Sequence, residues 1–197
     1  MGINTSKSVA DNESHVDVLI IAAGPAGLMA CNALARNGIN VRIVDIRPSK
    51  ILAGHADELQ SRTLEVLKSY GLADKVFKEG AHMHMIINFN LGDGRLSTIL
   101  VQMELTDRVP DITAPSARFP FEITLHQGEI ETVFLDSMRG FGIEVDRPTS
   151  PLSMDILGAD SGEYPVRTVV QHLDGSHRTE TIYSKYVVGA DAGLAGD

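Results

Sequence analysis

The sequence predicts an α/β fold opened by a parallel βαβ unit, and three observations predict it. Val18-Leu19-Ile20-Ile21 is a continuous β-branched and aliphatic run, as a parallel strand covered on both faces requires. The turn Ala22-Ala23-Gly24-Pro25-Ala26-Gly27 follows and passes into helical spacing at Leu28, Cys31, Leu34 and Ala35. A second aliphatic run, Val41-Arg42-Ile43-Val44, then ends on Asp45.

Each further element has its own signal. Residues 1–14 are polar and aperiodic and read as a flexible tail, so the domain is expected to span 15–197. Asn37-Gly38 stops the first helix, and a second helix is expected over residues 59–70. A β segment around 82–125 contains a hairpin signal, in which 82–88 and 95–102 flank Gly92-Asp93-Gly94. Residues 165–173 and 178–188 flank Asp174-Gly175 in a second hairpin. Between them Ile130, Val133, Phe134 and Met138 share one helical face, and Gly140 ends that helix.

Composition bounds the partners. A chain of 197 residues that is 43% hydrophobic can bury one substantial core. The net charge of −9 and the absence of any long run among the 17 basic residues argue against nucleic acid. Cys31 is the single cysteine and no secretory leader is visible, which fits a reducing, cytoplasmic setting. No apolar run reaches the roughly 20 residues of a membrane span. Gly2 and Ser6 satisfy the N-myristoylation pattern, but an ordinary polar tail is the preferred reading and no membrane partner is expected. His82-Met83-His84 places two imidazoles on one strand without a third ligand nearby, so exposed strand histidines are expected rather than a metal site.

The βαβ unit has a specific chemistry. Gly24 lets the backbone approach a pyrophosphate, the helix N-terminus receives its charge, and Gly27 lets helix and strand pack closely. Asp45, 18 residues beyond Gly27, can accept a ribose hydroxyl. Strand, glycine turn, helix, strand and terminal carboxylate in this order predict a Rossmann-like dinucleotide site. Ala22 replaces the first glycine of the fingerprint, and the turn is expected to keep a negative φ there. Periodicity leaves NAD and FAD both open.

Beyond that unit, the segments DVLIIAAGPAGLMACNALARNG, VRIVDIRPSK, GHADELQSRTLEVLKSYGLADKV, LHQGEIE and YVVGADAG resemble the N-terminal part of the flavoprotein aromatic hydroxylases, above all their fungal phenol 2-monooxygenase branch. The resemblance implies an FAD-binding domain carrying additional antiparallel hairpins. It implies FAD contacts for the turn residues Ala23, Gly24, Pro25, Ala26 and Gly27, and for Asp45, Arg47, Arg62, Gln127 and Asp191. It implies an active-site role for Asp57. The resemblance favours FAD over an NAD-dependent dehydrogenase through the settings of Arg62 and Gln127.

Two departures add negative charge: Glu58 stands where that branch has glycine, and Glu129 where it usually has arginine. Glu58 is expected to begin the helix over 59–70, where a carboxylate suits the dipole. After Asp191 the family's usual glycine, serine and Val-Arg are missing, so the chain is expected to be an incomplete, truncated member. The activity implied is FAD-dependent monooxygenation of a small phenolic or aromatic metabolite with NADPH as reductant and dioxygen. The alternative is a catalytically silent FAD-binding module. Oligomeric state is left open.

Overall fold

The structure is a computed structural model that describes residues 13–52, 57–91, 103–110, 116–158 and 162–191. The chain forms two compact units, one of residues 1–51 with 134–197 and one of residues 52–133. The first unit begins with β1 (Glu13–Ile21), α1 (Pro25–Arg36) and β2 (Val41–Val44). The second holds β3 (Glu58–Leu59), α2 (Ser61–Ser69), α3 (Ala73–Glu79), β4 (Ala81–Met83), β5 (Met85–Leu91), β6 (Met103–Pro110) and β7 (Glu122–Thr124). Helix α4 (Gln127–Arg139) leads back to the first unit, completed by β8 (Val145–Asp146), β9 (Thr149–Ile156), β10 (Val166–His172) and β11 (Thr179–Gly189).

The first unit is built on a six-stranded sheet of order β8-β2-β1-β11-β10-β9. β1 runs parallel to β2 and β11, and β2 parallel to β8; β10 is antiparallel to both its neighbours. The aliphatic run predicts this centre correctly, since Leu19 and Ile20 are wholly buried. β1 starts at Glu13, inside the stretch expected to be tail, because Glu13 and Ser14 pair with Thr181 and Ile182. The hairpin expected around Asp174-Gly175 is β10 and β11. β9, with Pro151 inside it, carries no clear strand signal and pairs with β10 at the sheet's edge.

Helix α1 follows from its ends. Pro25 opens it, where a missing N–H costs nothing, and Gly38 at φ +75° closes it by donating to Ala35 O. Gly27, Leu28, Cys31 and Asn32 are its buried residues. The Asn32 side chain donates to Leu28 O and, at 3.2 Å, to Phe134 O on α4.

In the second unit β3, β7 and β4 make an antiparallel sheet, while α2 and α3 bury Leu64, Leu67, Ala73 and Val76. Two expectations change here. Glu58 does not begin α2: it pairs with Thr124 in β3, and the helix starts at Ser61. The strand expected over 82–88 divides at His84, so that Ala81–Met83 joins β7 and Met85–Leu91 pairs with β6. The expected partner 95–102 and the Gly92-Asp93-Gly94 turn lie outside the described residues. His82 and His84 both lie against Phe121, with ring centroids 4.7 and 5.1 Å away, and His82 is within 3.0 Å of Phe77 O. No helix among the described residues is long and apolar enough to cross a membrane.

Candidate nucleotide-binding site

The turn after β1 is shaped by two short-range facts. Ala22 N donates to Val44 O at 2.9 Å, and Ala22 takes φ +81°. The expectation of negative φ is therefore overturned: this turn keeps the left-handed backbone of the missing glycine, at the steric cost an L-residue carries there. A Cβ on Gly27 would collide with Ala22 O and come within 3.2 Å of the Ala190 Cβ. Gly27 is thus required by the close passage of α1 beneath β1 and the end of β11.

Gly24 is different. Its backbone is extended, at φ −77° and ψ −179°, and an added Cβ would meet nothing within 4 Å. Nothing among the described residues demands glycine there. Among the described residues neither a side-chain cap nor an acidic residue in the first turn competes for the start of α1. Unpaired N–H groups and the positive end of the helix dipole suit a phosphate at this position.

Asp45 follows β2 and is 3% exposed. Its Oδ2 accepts from Ala23 N at 2.8 Å and from Arg47 Nη2 at 2.9 Å. Its Oδ1 accepts from Arg47 N at 2.8 Å and Arg47 Nε at 3.2 Å. A further guanidinium arrives from the β8–β9 turn, where Arg147 Nη2 lies 3.5 Å from Oδ2 and 3.3 Å from Ala23 O. Burial is the largest single influence on this carboxyl and pushes its pKa up. The Arg47 side chain, the Arg47 and Ala23 backbone N–H groups and the Arg147 charge together outweigh it, so the pKa lies below the ordinary aspartate value.

The structure thus brings Ala23, Gly24, Pro25, Ala26, Gly27, Asp45 and Arg47 into one cluster at the C-terminal ends of β1 and β2. Asp191 lies two residues beyond the end of β11, and the intervening Ala190 N donates to Ile21 O. Arg147 is the member that sequence reading missed; its signal was confined to an arginine before proline, with nothing local to point at Asp45. The remaining expected residues belong to the second unit. Asp57 is exposed, with its backbone O accepting from Leu125 N. Arg62 lies in the first turn of α2 and pairs with Glu65 at 2.7 Å. Gln127 is the first residue of α4 and donates to the buried Glu131 at 3.3 Å. His126 serves the start of the same helix, its Nδ1 accepting from Gly128 N.

A parallel βαβ unit with a tight glycine turn and a buried carboxylate at the end of its second strand defines a dinucleotide-binding protein. The sequence matches the FAD binding domain family over residues 15–195, and the chain belongs to that family. It is 33% identical over 187 residues to a phenol 2-monooxygenase of Aspergillus fumigatus, a match covering 93% of this chain and 29% of the relative. It is 28% identical to a 3-hydroxybenzoate 4-monooxygenase of Comamonas testosteroni, covering 90% of this chain and 28% of that one. Among solved structures, the aklavinone-11 hydroxylase in ternary complex with FAD and aklavinone superposes with a TM-score of 0.71 at 26% identity, over 91% of this chain and 33% of that one. The p-nitrophenol 4-monooxygenase of Pseudomonas putida shares the fold, with a TM-score of 0.73 at 18% identity over 90% of this chain and 41% of that one. The chain spans less than a third of the length of these two curated relatives.

Proposed function

We propose that the first unit holds the ADP half of FAD and that the chain is the FAD-binding part of a monooxygenase acting on a small phenolic or aromatic compound, with NADPH as reductant. The observation that carries the reading is the contrast between the two glycines of the turn. Gly27 is demanded by packing, whereas at Gly24, at the N-terminus of α1, an added Cβ would meet no atom of the described residues within 4 Å. A pyrophosphate is the group that makes glycine useful at such a position.

In this reading the α1 N-terminus takes the pyrophosphate and Asp45 accepts the ribose hydroxyls. Arg62 and Gln127 contact the flavin nucleotide, while Asp57 orients a phenol. Bound FAD would supply the redox and oxygen-transfer chemistry; the chain's share is binding, orientation and charge. The relatives, named as aromatic and phenol monooxygenases, support the substrate class. A cytoplasmic setting agrees with a lone cysteine, buried Cys31, whose thiol pKa burial pushes up to about 11.

A second reading, an FAD-binding module without hydroxylase activity, draws support from Asp57 and Arg62, which are exposed within their own unit. Two measurements test the readings. Visible absorption of the purified chain after desalting and FAD addition is expected to show a bound flavin band; a colourless protein would refute both. NADPH oxidation with a panel of phenols, with hydroxylated product and hydrogen peroxide both quantified, then tests the second reading, because hydroxylated product coupled to NADPH would overturn it.

A further inference from the structure

The Asp45 carboxylate is fully engaged by the chain's own donors. A carboxylate offers about four acceptor positions, and two backbone N–H groups and two guanidinium groups already converge on this one. A ribose hydroxyl can reach it only by replacing one of them. The backbone N–H groups of Ala23 and Arg47 are set by the turn and the strand end, so they stay. The choice falls between two guanidiniums of unequal freedom: the Arg47 side chain is 36% exposed, the Arg147 side chain 10%.

We propose that Arg147 is the positioning residue of the ribose site, holding the Asp45 carboxylate and the Ala23 carbonyl in place while the exposed guanidinium of Arg47 gives way to the ribose hydroxyls. The geometry suits that division. Arg147 Nη2 spans two acceptors, Ala23 O and Asp45 Oδ2, and so ties the glycine turn to the end of β2. The backbone holds the same corner together, with Asp45 N donating to Asp146 O and Thr149 N to Asp45 O. Arg147 is therefore carried on a segment already fastened on both sides of Asp45. Arg47 also reaches Ala23 O, at 3.2 Å, but with a side chain that is 36% exposed. Once displaced, its charge is close to the phosphate end of the turn.

This inference rests on the proposed FAD reading, and its test keeps the two apart. The full chain is loaded with FAD, and displacement by ADP and by 2′,3′-dideoxy-ADP is followed by flavin fluorescence. The ratio of the two affinities reports the ribose hydroxyls alone, so a general loss of stability cancels from it. The wild-type chain is expected to prefer ADP by about tenfold or more, as a charge-assisted hydrogen bond provides. Arg147→Gln is expected to reduce the preference to less than about threefold, and Arg147→Lys, whose single ammonium cannot reproduce the planar fork, to an intermediate value. Arg47→Gln is expected to keep the preference while weakening both nucleotides. An unchanged ratio in Arg147→Lys and Arg147→Gln, or a ratio lost in Arg47→Gln instead, overturns the assignment. If Arg147→Gln does not fold, the Lys variant alone decides. A wild-type chain that binds FAD but shows no preference for ADP removes the ribose role of Asp45 and this proposal with it, and one that binds no FAD removes the FAD reading as well.

Discussion

The two units treat their polar residues in opposite ways. Around Asp45 the chain supplies mutually bonded groups: a carboxylate 3% exposed, the largely buried Arg147, the part-exposed Arg47 and a backbone turn whose Gly27 has no room for a Cβ. In the second unit Asp57 lies exposed, and the Arg62 side chain, 86% exposed, pairs with Glu65 one helical turn along its own helix. A preorganised cluster in a desolvated setting can bind with little reordering, whereas exposed side chains must be fixed by whatever they meet. The polar cluster around Asp45 is thus set by the first unit's own fold, whereas Asp57 and Arg62 are not held in that way by theirs.

The largest effect that would break this comparison lies at the turn. Gly27→Ala is expected to lower the unfolding free energy by about 3 kcal/mol, as overpacking against backbone does, measured by urea denaturation. Gly24→Ala is expected to change stability by less than about 0.5 kcal/mol while lowering FAD affinity by about tenfold, or ~1.4 kcal/mol. Similar stability losses in both variants would mean that packing, not a ligand, explains both glycines.

Next in size is Asp45→Ala, expected to weaken FAD binding by about 1.5–3 kcal/mol, against little change for Asp57→Ala, each read by fluorescence titration. Equal losses would erase the distinction between the units. The pH dependence sharpens it. Because the folded-state pKa of Asp45 is depressed, the stability it contributes is present above the unfolded aspartate value and is lost as pH falls through the lower folded value. FAD binding is accordingly expected to persist through the ordinary aspartate titration range and to fail only at more acid pH.

Smaller effects follow. Ala22→Gly is expected to stabilise the chain by about 1 kcal/mol, because it relieves the left-handed strain at φ +81°; a shift in Tm would report it, and no gain would mean that the looser unfolded state of glycine offsets the relief. Smallest of all, Arg62→Ala is expected to change stability by less than about 0.5 kcal/mol, as exposed helix pairs do. Any loss of FAD affinity in that variant would then report a direct contact with the nucleotide.

Much of the first unit is legible in the sequence because its signals are local. The aliphatic runs, the glycine turn, Pro25 at the helix start and Gly38 at its end each act within a few residues, and the family resemblance named the cofactor that those signals alone left open. β9 escaped notice because Pro151 interrupts its pattern, which only an edge position tolerates. Glu58 was misplaced because a carboxylate near a helix start and one in a two-residue strand look alike until the partner strand, β7, is known.

By itself, then, the sequence determined the class of fold, the turn and the carboxylate that marks the end of β2, since hydrophobic period and backbone chemistry are properties of neighbouring residues. The tertiary structure alone decided how those parts are held. Ala22 takes a left-handed backbone where its N–H donates to Val44 O on the neighbouring strand and its own carbonyl lies against Gly27. Arg147 meets Asp45 across 102 residues of chain because β8 lies beside β2. Contacts of that separation carry no periodic trace; they exist only once strand order is set.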